Sequence, residues 1–307
     1  MQPSDRGKIM RKFFKGLLIT FIVILLLGVI AVSLLFTMVN NFKYMTYTPK
    51  KLEKVYAEYH PEEIKFIAHR GLSKEAYQNT VRAFTLAAED PDVFGIETDV
   101  WVTADGRFIC MHDEDSLEGY ASAREVTADV ALITPLRKSA KDLETFPETD
   151  YAPALEQYLE ICRNGNKTAV IEIKDRNMTE EELDGLLETV RASGAKYSFG
   201  SFYFGKLQYI RSKDADVELH LFTKMGLPRD MAEAGFTSEA KLQKLIDERV
   251  NLSCNYKYLN KKMADMFHSA GLKVGVWTVN DKKTIACLYG DYQVDYVTSD
   301  MRVNALI

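Results

Sequence analysis

The stretch GIETDVWVTADGRFICMHD, residues 95–113, decides how the rest of the chain is interpreted. Both of its halves are rich in β-branched and apolar residues, and Asp105-Gly106 lies between them. Because Asp-Gly is a strong signal for a tight turn between two strands, the pattern predicts a β-hairpin. The hairpin would bring His112, at the end of its second strand, back beside Asp99 in its first.

Outward from this hairpin, short β-rich runs alternate with amphipathic helical patterns along the chain. Strands are predicted at 65–69, 95–103, 107–112, 168–174, 197–202, 217–222, 249–254, 273–279 and 294–298, and helices at 79–90, 153–164, 179–193, 204–213, 238–247, 260–270 and 281–289. Repeated strand–helix units indicate a parallel sheet with helices outside it. Nine strands are predicted, and two of them form one hairpin, so eight units remain. Eight is the number of units that closes a (β/α)8 TIM barrel.

The barrel is predicted to occupy residues 64–307. The segment 113–150 has weak periodicity and many charges, so we interpret it as a small insertion after the second unit. An open, doubly wound sheet is the alternative architecture. It is disfavoured because no GxGxxG motif follows the first predicted strand.

A charge-free stretch, residues 16–42, precedes the barrel and consists mainly of Leu, Ile, Val and Phe. It is long enough to cross the hydrocarbon layer of a bilayer, so we predict a transmembrane helix at 16–39 and a polar stalk at 40–63. The run is longer than that of a cleaved signal peptide, and no A-x-A cleavage pattern follows it. A buried helix of a soluble protein, the other alternative, usually has polar positions within the run.

The net charge of −5 is an average over unlike regions. Residues 1–15 form a basic head with a net charge of +4, and the chain from Lys43 onward sums to −9. The positive-inside rule then predicts a single-pass protein of the cell membrane, with a cytoplasmic head and an extracellular barrel. The acidic barrel excludes nucleic acid as a bulk electrostatic partner. The sequence leaves the oligomeric state open.

Polar side chains recur at the carboxyl ends of the predicted strands, where barrel enzymes bind their substrates. These candidate site residues are His69, Arg70, Glu97, Asp99, His112, Glu172, Lys174 and Trp277. Carboxylates on neighbouring buried strands repel each other, and a divalent cation would relieve that repulsion; oxygen ligands favour Mg²⁺ or Ca²⁺. The two histidines suit a general acid and a general base. Arg70 and Lys174 suit a phosphate group.

Several short motifs together resemble the glycerophosphodiester phosphodiesterase family, in the family's order and spacing. They are AHRG (68–71), NT (79–80), the stretch 95–113, IEIK (171–174) and VWTVN (276–280), with PALEQYLEICRN (153–164), SF (201–202) and HSAGLKVG (268–275) in support. Each motif alone is weakly specific, but the set is quite specific. The resemblance runs from about residue 65 to the C-terminus and implies a TIM barrel.

The resemblance also implies a role for each candidate. His69 and His112 would be the acid–base pair, Glu97, Asp99 and Glu172 the metal ligands, Arg70 and Lys174 the phosphate-contacting cations, and Trp277 the aromatic wall near the alcohol group. One position departs from the family, which has PENT where this chain has Tyr77-Gln78-Asn79-Thr80. Gln78 keeps the hydrogen-bonding capacity of the family's Glu and loses its charge, which puts metal affinity or the orientation of His69 in doubt.

The predicted activity is metal-dependent hydrolysis of glycerophosphodiesters to glycerol 3-phosphate and an alcohol, by an enzyme whose partners are a small-molecule substrate and a membrane. Two alternatives stay open. A phospholipase of the same superfamily would cleave intact membrane lipid, which the predicted anchor would place within reach. A catalytically degenerate barrel would only bind, and Gln78 is the feature that favours it.

Overall fold

A computed structural model describes residues 15–25, 27–28, 31, 48–58, 60, 63–224 and 239–306. The chain divides into two compact units, Met1–Lys51 and Leu52–Ile307. In the first unit, residues 15–25 are helical and their apolar side chains are exposed. Among the described residues, none of the helices combines the length and the apolar character needed to cross a bilayer. Most of the predicted basic head (1–15) and part of the predicted span (16–39) lie outside the described residues.

The structure places strands and helices close to their predicted positions. The strands are β1 (Lys65–Ala68), β2 (Val93–Val102), β3 (Phe108–Cys110), β4 (Thr168–Ile173), β5 (Lys196–Ser201), β6 (Glu218–Thr223), β7 (Asn251–Asn255), β8 (Val274–Trp277) and β9 (Tyr296–Ser299). The helices are α1 (Pro49–Ala57), α2 (Val81–Glu89), α3 (Ala128–Ala131), α4 (Ala140–Thr145), α5 (Leu155–Asn164), α6 (Glu180–Ser193), α7 (Phe204–Lys213), α8 (Glu239–Asp247), α9 (Lys261–Ser269) and α10 (Lys282–Tyr292). Helix α1 lies within the predicted stalk.

The sheet closes on itself. Its strand order is β1-β9-β8-β7-β6-β5-β4-β2-β3, and β1 also pairs with β2. All pairings are parallel except that of β2 with β3, which is antiparallel. The predicted TIM barrel is therefore confirmed, and β2–β3 is the predicted hairpin.

Local sequence signals explain where the elements begin and how they pack. Thr80 caps α2 by accepting a hydrogen bond from Ala83 N, and Thr179 and Glu182 form a capping box at the start of α6. Gly71, which follows β1, adopts φ +77°, and a Cβ there would lie 2.5 Å from the Ala83 carbonyl carbon. The chain can therefore pass closely over α2 only because this residue is a glycine.

The segment between β3 and α5 corresponds to the predicted insertion and contains α3 and α4. Its Leu117 and Leu136 pack in one apolar cluster with Trp101 and Ile109 of the hairpin. Arg124 joins the insertion to the barrel through Asp175 and Glu182, each at 2.8 Å. The insertion therefore packs as part of the domain, beside the carboxyl ends of β2 and β4.

Candidate active site

Three carboxylates meet where β2 and β4 run side by side. Asp99 lies directly opposite Glu172 in the register of these strands, and Glu97 precedes Asp99 by two residues on the same face. One oxygen from each of the three side chains lies within 4.8 Å of the others, and all three residues are buried. The parallel pairing therefore produces the acidic cluster that the sequence predicted.

Burial and mutual repulsion make this cluster electrostatically costly. Burial, with repulsion from Asp99 and Glu172, raises the pKa of Glu97 well above its usual value. Burial also raises the pKa of Glu172, to about 7, with Asp99 adding to the effect against the opposing charge of Lys174. Burial alone would raise the pKa of Asp99 too, but Lys174 and Arg70 hold it below its usual value. Asp99 is therefore the carboxylate that its neighbours keep ionised.

Two cations compensate this charge. Lys174 Nζ lies 3.2 Å from Asp99 Oδ1 and 3.3 Å from Glu172 Oε1, and Arg70 Nε lies 3.2 Å from Asp99 Oδ2. The backbone N–H of Arg70 also donates to Glu97 Oε2 at 2.9 Å. Burial opposes the charge of Lys174, but Asp99 and Glu172 outweigh it and raise the pKa of this lysine. Lys174 therefore stays charged beside the cluster, and Arg70 pairs with the same carboxylate, Asp99.

The loop before α2 supports these groups. Asn79 Nδ2 donates to Asp99 Oδ2 at 2.8 Å, and Asn79 Oδ1 accepts from Thr98 Oγ1 at 2.8 Å. Gln78 Oε1 accepts a hydrogen bond from Arg70 Nη1. The residue that departs from the family pattern thus contacts Arg70, whereas the sequence related it to metal affinity or to the orientation of His69.

His69 follows β1 directly and is backed by a residue that the sequence did not single out. His69 Nδ1 lies 2.7 Å from Asp300 Oδ1, just beyond the end of β9. Burial would raise the pKa of Asp300, but His69, Asn280 and Ser73 outweigh it and lower this pKa to about 2. An ionised carboxylate can only accept, so His69 donates from Nδ1 and keeps Nε2 for chemistry.

Both carboxylate oxygens of Asp300 accept hydrogen bonds from neighbouring side chains. Asn280, the last residue of VWTVN, donates from Nδ2 to Asp300 Oδ2 at 2.7 Å, and its Oδ1 accepts from the Asp300 backbone N–H at 2.9 Å. Ser73 Oγ donates to Asp300 Oδ1 at 3.1 Å. Asp300 could have been found from the sequence, because it occupies the same strand-end position as the other candidates. It was overlooked because it stands alone in YVTSDM.

His112 approaches from the hairpin, as predicted. The backbone N–H of Met111 donates to the carbonyl of Asp99 at 3.0 Å, which extends the β2–β3 pairing and places His112 over the cluster. The His112 Nδ1 lies 2.9 Å from Asp113 Oδ1. Burial lowers the pKa of His112, and Arg70 and Lys174 add to this effect against the opposing charge of Asp99.

An aromatic wall stands on the other side of the pocket. The rings of Phe202 and Trp277 meet edge to face with centroids 5.8 Å apart, and Phe202 meets Phe222 in the same way at 5.9 Å. Trp277 Nε1 donates to the carbonyl of Ser253 at 3.1 Å, which fixes its indole ring. The pocket between wall and cluster has a volume of about 630 Å³, including space open to solvent.

The structure brings all of the predicted site residues together. His69, Arg70, Glu97, His112, Glu172, Lys174 and Trp277 line this one pocket, and Asp99 contacts two of them. Their individual roles stay predictions. Lys224, which also lines the pocket, was not predicted.

The cluster suits a divalent cation. Glu172 Oε1 is buried and, although Lys174 is near, accepts no hydrogen bond from any described residue. The cluster offers three carboxylate oxygens and no nitrogen or sulfur ligand, which is the donor set that Mg²⁺ and Ca²⁺ prefer. A bound cation would also stabilise the ionised forms of Glu97 and Glu172, whose pKa values are raised.

Comparison with known proteins agrees with this site. Residues 69–307 match the model of the glycerophosphoryl diester phosphodiesterase family. The chain is 27% identical over 240 residues to the glycerophosphodiester phosphodiesterase of Bacillus subtilis, covering 72% of this chain and 78% of the relative. It is also 27% identical over 228 residues to that of Caldanaerobacter subterraneus, covering 71% of this chain and 86% of the relative.

A solved structure shares the fold. A phosphodiesterase of Oleispira antarctica, in complex with the product sn-glycerol-3-phosphate, superimposes with a TM-score of 0.66 at 21% identity, covering 81% of this chain and 96% of the other. The family match begins at His69 and extends over the whole barrel beyond it, so it includes every predicted site residue. The predicted enzyme class is thereby confirmed, and the chain belongs to the glycerophosphoryl diester phosphodiesterase family.

Proposed function

We propose that this protein hydrolyses glycerophosphodiesters to glycerol 3-phosphate and an alcohol, with a divalent cation held by Glu97, Asp99 and Glu172. The observation that carries the proposal is the buried carboxylate cluster with two cations against it and two histidines in the same pocket, in a member of this family. The activity named for the Bacillus subtilis relative and the product bound to the Oleispira antarctica protein agree with it.

The substrate phosphate binds at the cluster. When bound, the cation would neutralise charge on phosphate oxygens as the transition state develops. Arg70 and Lys174 contact the same phosphate and orient it, since each side chain has more N–H groups than its contacts with Asp99, Gln78 and Glu172 use. Asn79 holds Asp99 in place from behind. These groups are fixed before the substrate arrives, so little reorganisation is needed during the reaction.

The histidines move the protons. His69, whose Nδ1 proton is held by Asp300, accepts the proton of the attacking hydroxyl at Nε2, and the ionised Asp300 stabilises the imidazolium that forms. His112 donates a proton to the oxygen of the leaving alcohol. The attacking hydroxyl belongs either to water, which gives glycerol 3-phosphate directly, or to the glycerol 2-position of the substrate. In the second case the alcohol leaves a cyclic glycerol phosphate, which water then opens: His112 takes the proton of that water and His69 returns a proton to the 2-oxygen, so that glycerol 3-phosphate is again the product.

The test uses the full chain in detergent with glycerophosphoglycerol as substrate. Glycerol 3-phosphate release is followed with Mg²⁺, with Ca²⁺ and with EDTA, for the wild type and for Glu172→Gln. We expect release that EDTA abolishes and that excess cation restores, with a higher cation requirement in the variant. Release that is indifferent to chelation contradicts the cation. No release from any glycerophosphodiester contradicts the activity.

We propose further that residues 16–39 anchor the protein in the cell membrane, with the catalytic domain outside. The support is the charge-free apolar run and the basic residues before it. Alkaline extraction of membranes and protease accessibility in intact cells would test the anchor and its orientation. Release of the protein by alkali contradicts the anchor.

The lipid alternative is tested with the same preparation. Intact phosphatidylglycerol vesicles and the deacylated diester are supplied at equal phosphate concentration. We expect product only from the deacylated diester, because the pocket at the barrel end has a volume of about 630 Å³ even with its solvent-open part included, which suits a small diester better than a lipid with two acyl chains. Product from vesicles at a comparable rate would favour a phospholipase.

A further inference from the structure

Lys224 lies at the rim of the active-site pocket, directly after β6. Its Nζ is 5.9 Å from the ring centroid of Phe202 and 5.9 Å from that of Trp277. The lysine side chain is exposed, and the residue lines the same pocket as the catalytic candidates. Since β6 is the fourth strand from β1 in either direction round the barrel, Lys224 lies on the wall opposite His69.

The charge of Lys224 is not committed to a carboxylate. Arg70 and Lys174, the other two cations of the pocket, are both paired with Asp99. Lys224 contacts two aromatic rings instead, and within the part of the chain that the structure describes it has no acidic partner at ion-pair distance. Its charge therefore lies at the aromatic wall, on the opposite side of the barrel from His69, where it is available to a part of the substrate other than the phosphate held by Arg70 and Lys174.

The position of Lys224 also decides which head groups the aromatic wall can accept. A pair of aromatic rings at a pocket rim is the usual binding place for a quaternary ammonium group, through cation–π attraction. Here the ammonium of Lys224 already occupies that place over Phe202 and Trp277. A cationic head group would have to displace it or meet its like charge. An anionic group would be attracted to it.

We propose that Lys224 selects glycerophosphodiesters that carry a second negative charge, such as another phosphate, beyond the bond that is cleaved. The inference rests on the proposed function and narrows its substrate class. It disfavours choline and ethanolamine diesters, and favours molecules in which two phosphates are joined through glycerol.

The test compares two substrates that differ in one charged group. Glycerophosphoglycerol has a neutral alcohol, and bis(glycerophospho)glycerol has the same alcohol with a second phosphodiester. The readout is the ratio of kcat/KM for the two substrates, corrected for the two equivalent bonds, in the full chain. Variants are Lys224→Met, which removes the charge, and Lys224→Arg, which keeps it. Lys196→Met is the control, since it removes one positive charge at the start of β5, away from the pocket.

We expect the wild type to prefer the doubly charged substrate by about threefold to fivefold, the upper part of the range for an exposed ion pair. Lys224→Met should abolish the preference and raise the relative rate on glycerophosphocholine, whereas Lys224→Arg and Lys196→Met should retain the preference. High salt should reduce the preference of the wild type, because exposed charges are screened.

Two results overturn the inference alone: an unchanged ratio in Lys224→Met, or a preference in the wild type that salt does not reduce. The salt series needs no variant, so a preference that salt does not reduce overturns the inference even if Lys224→Met does not fold, and Lys224→Arg supplies a second variant at the same position. Failure to release glycerol 3-phosphate from either substrate would overturn the proposed function and the inference with it.

Discussion

Asp300→Asn is predicted to impair catalysis by turning His69 into the wrong tautomer. The carboxylate accepts from three side chains: His69 and Ser73 donate to Oδ1, and Asn280 donates to Oδ2. An amide offers one acceptor oxygen, so its nitrogen must face a donor in either orientation. If the amide nitrogen of the variant faced Asn280, two N–H donors would meet. Asn280 cannot relieve this by flipping its own amide, because its Oδ1 already accepts from Ser299 Oγ and from the backbone N–H of residue 300.

The remaining orientation places the amide nitrogen of the variant against His69 Nδ1. His69 then accepts at Nδ1 and carries its proton on Nε2, where it can no longer take a proton from the attacking hydroxyl. The lost interaction is a charge-assisted hydrogen bond at 2.7 Å, worth about 1.5–3 kcal/mol. We therefore expect kcat to fall by about 10- to 150-fold. This loss in kcat should not exceed the loss of about 10²- to 10⁴-fold that is expected for His69→Ala.

Steady-state kinetics and nitrogen NMR of the His69 ring measure the two halves of this argument. The kinetics should show a lower kcat. The nitrogen spectrum should show a protonated Nδ1 in the wild type and a protonated Nε2 in the variant. Ser73→Ala is the matched control, because it removes a neutral donor to the same oxygen without changing the tautomer. A loss below about fivefold is expected for it. Asp300→Asn that keeps more than about half of the wild-type kcat would refute the tautomer argument.

Three further substitutions test the fold and the site. Gly71→Ala should lower the free energy of unfolding by about 2–4 kcal/mol in urea titrations, because φ is +77° and the new Cβ would lie 2.5 Å from Ala83; an unchanged midpoint would contradict this. Glu182→Gln should cost about 1–2 kcal/mol at neutral pH, because Arg124 holds the pKa of Glu182 at about 2. This contribution is present above the unfolded pKa of 4.5 and is lost as the pH falls towards 2, so the melting temperatures of variant and wild type should converge in acid. His112→Ala should lower kcat by about 10²- to 10⁴-fold with an unchanged circular dichroism spectrum, and near wild-type turnover would exclude a catalytic role.

The barrel was predictable because its pattern is repeated and local. The run KFIA alone is compatible with several structures, but one strand–helix unit after another is compatible with few. The Asp105-Gly106 turn removed the one irregularity by assigning β3 to a hairpin. The internal structure of the insertion was not predictable, because its short helices depend on contacts such as that of Leu117 with the hairpin rather than on periodicity.

The site residues that belong to recognisable sequence motifs could be predicted from the sequence. Glu97 and Asp99 interrupt an apolar strand, so the sequence itself shows that two carboxylates are buried at an energetic cost. Asp300 contacts His69 and Lys224 contacts the Trp277 ring, yet each is a single polar residue after an ordinary strand. Which of many such residues matter depends on distances between β1 and β9, or β5, β6 and β8, that only the closed sheet provides.

The charge balance of the carboxylate cluster and the two cations that pair with it connects Gln78 with the proposed cation. Three carboxylates and two cations leave one negative charge when all are ionised, and a phosphodiester anion would be repelled. A bound divalent cation would reverse the sign to a single positive charge, which would match the single negative charge of a phosphodiester. A glutamate in place of Gln78 would bind Arg70 as an ion pair and return the balance to neutral. The neutral amide, which accepts from Arg70 Nη1 without charge, therefore strengthens the attraction for the phosphate. Gln78 is thus compatible with catalysis and does not by itself indicate a degenerate barrel.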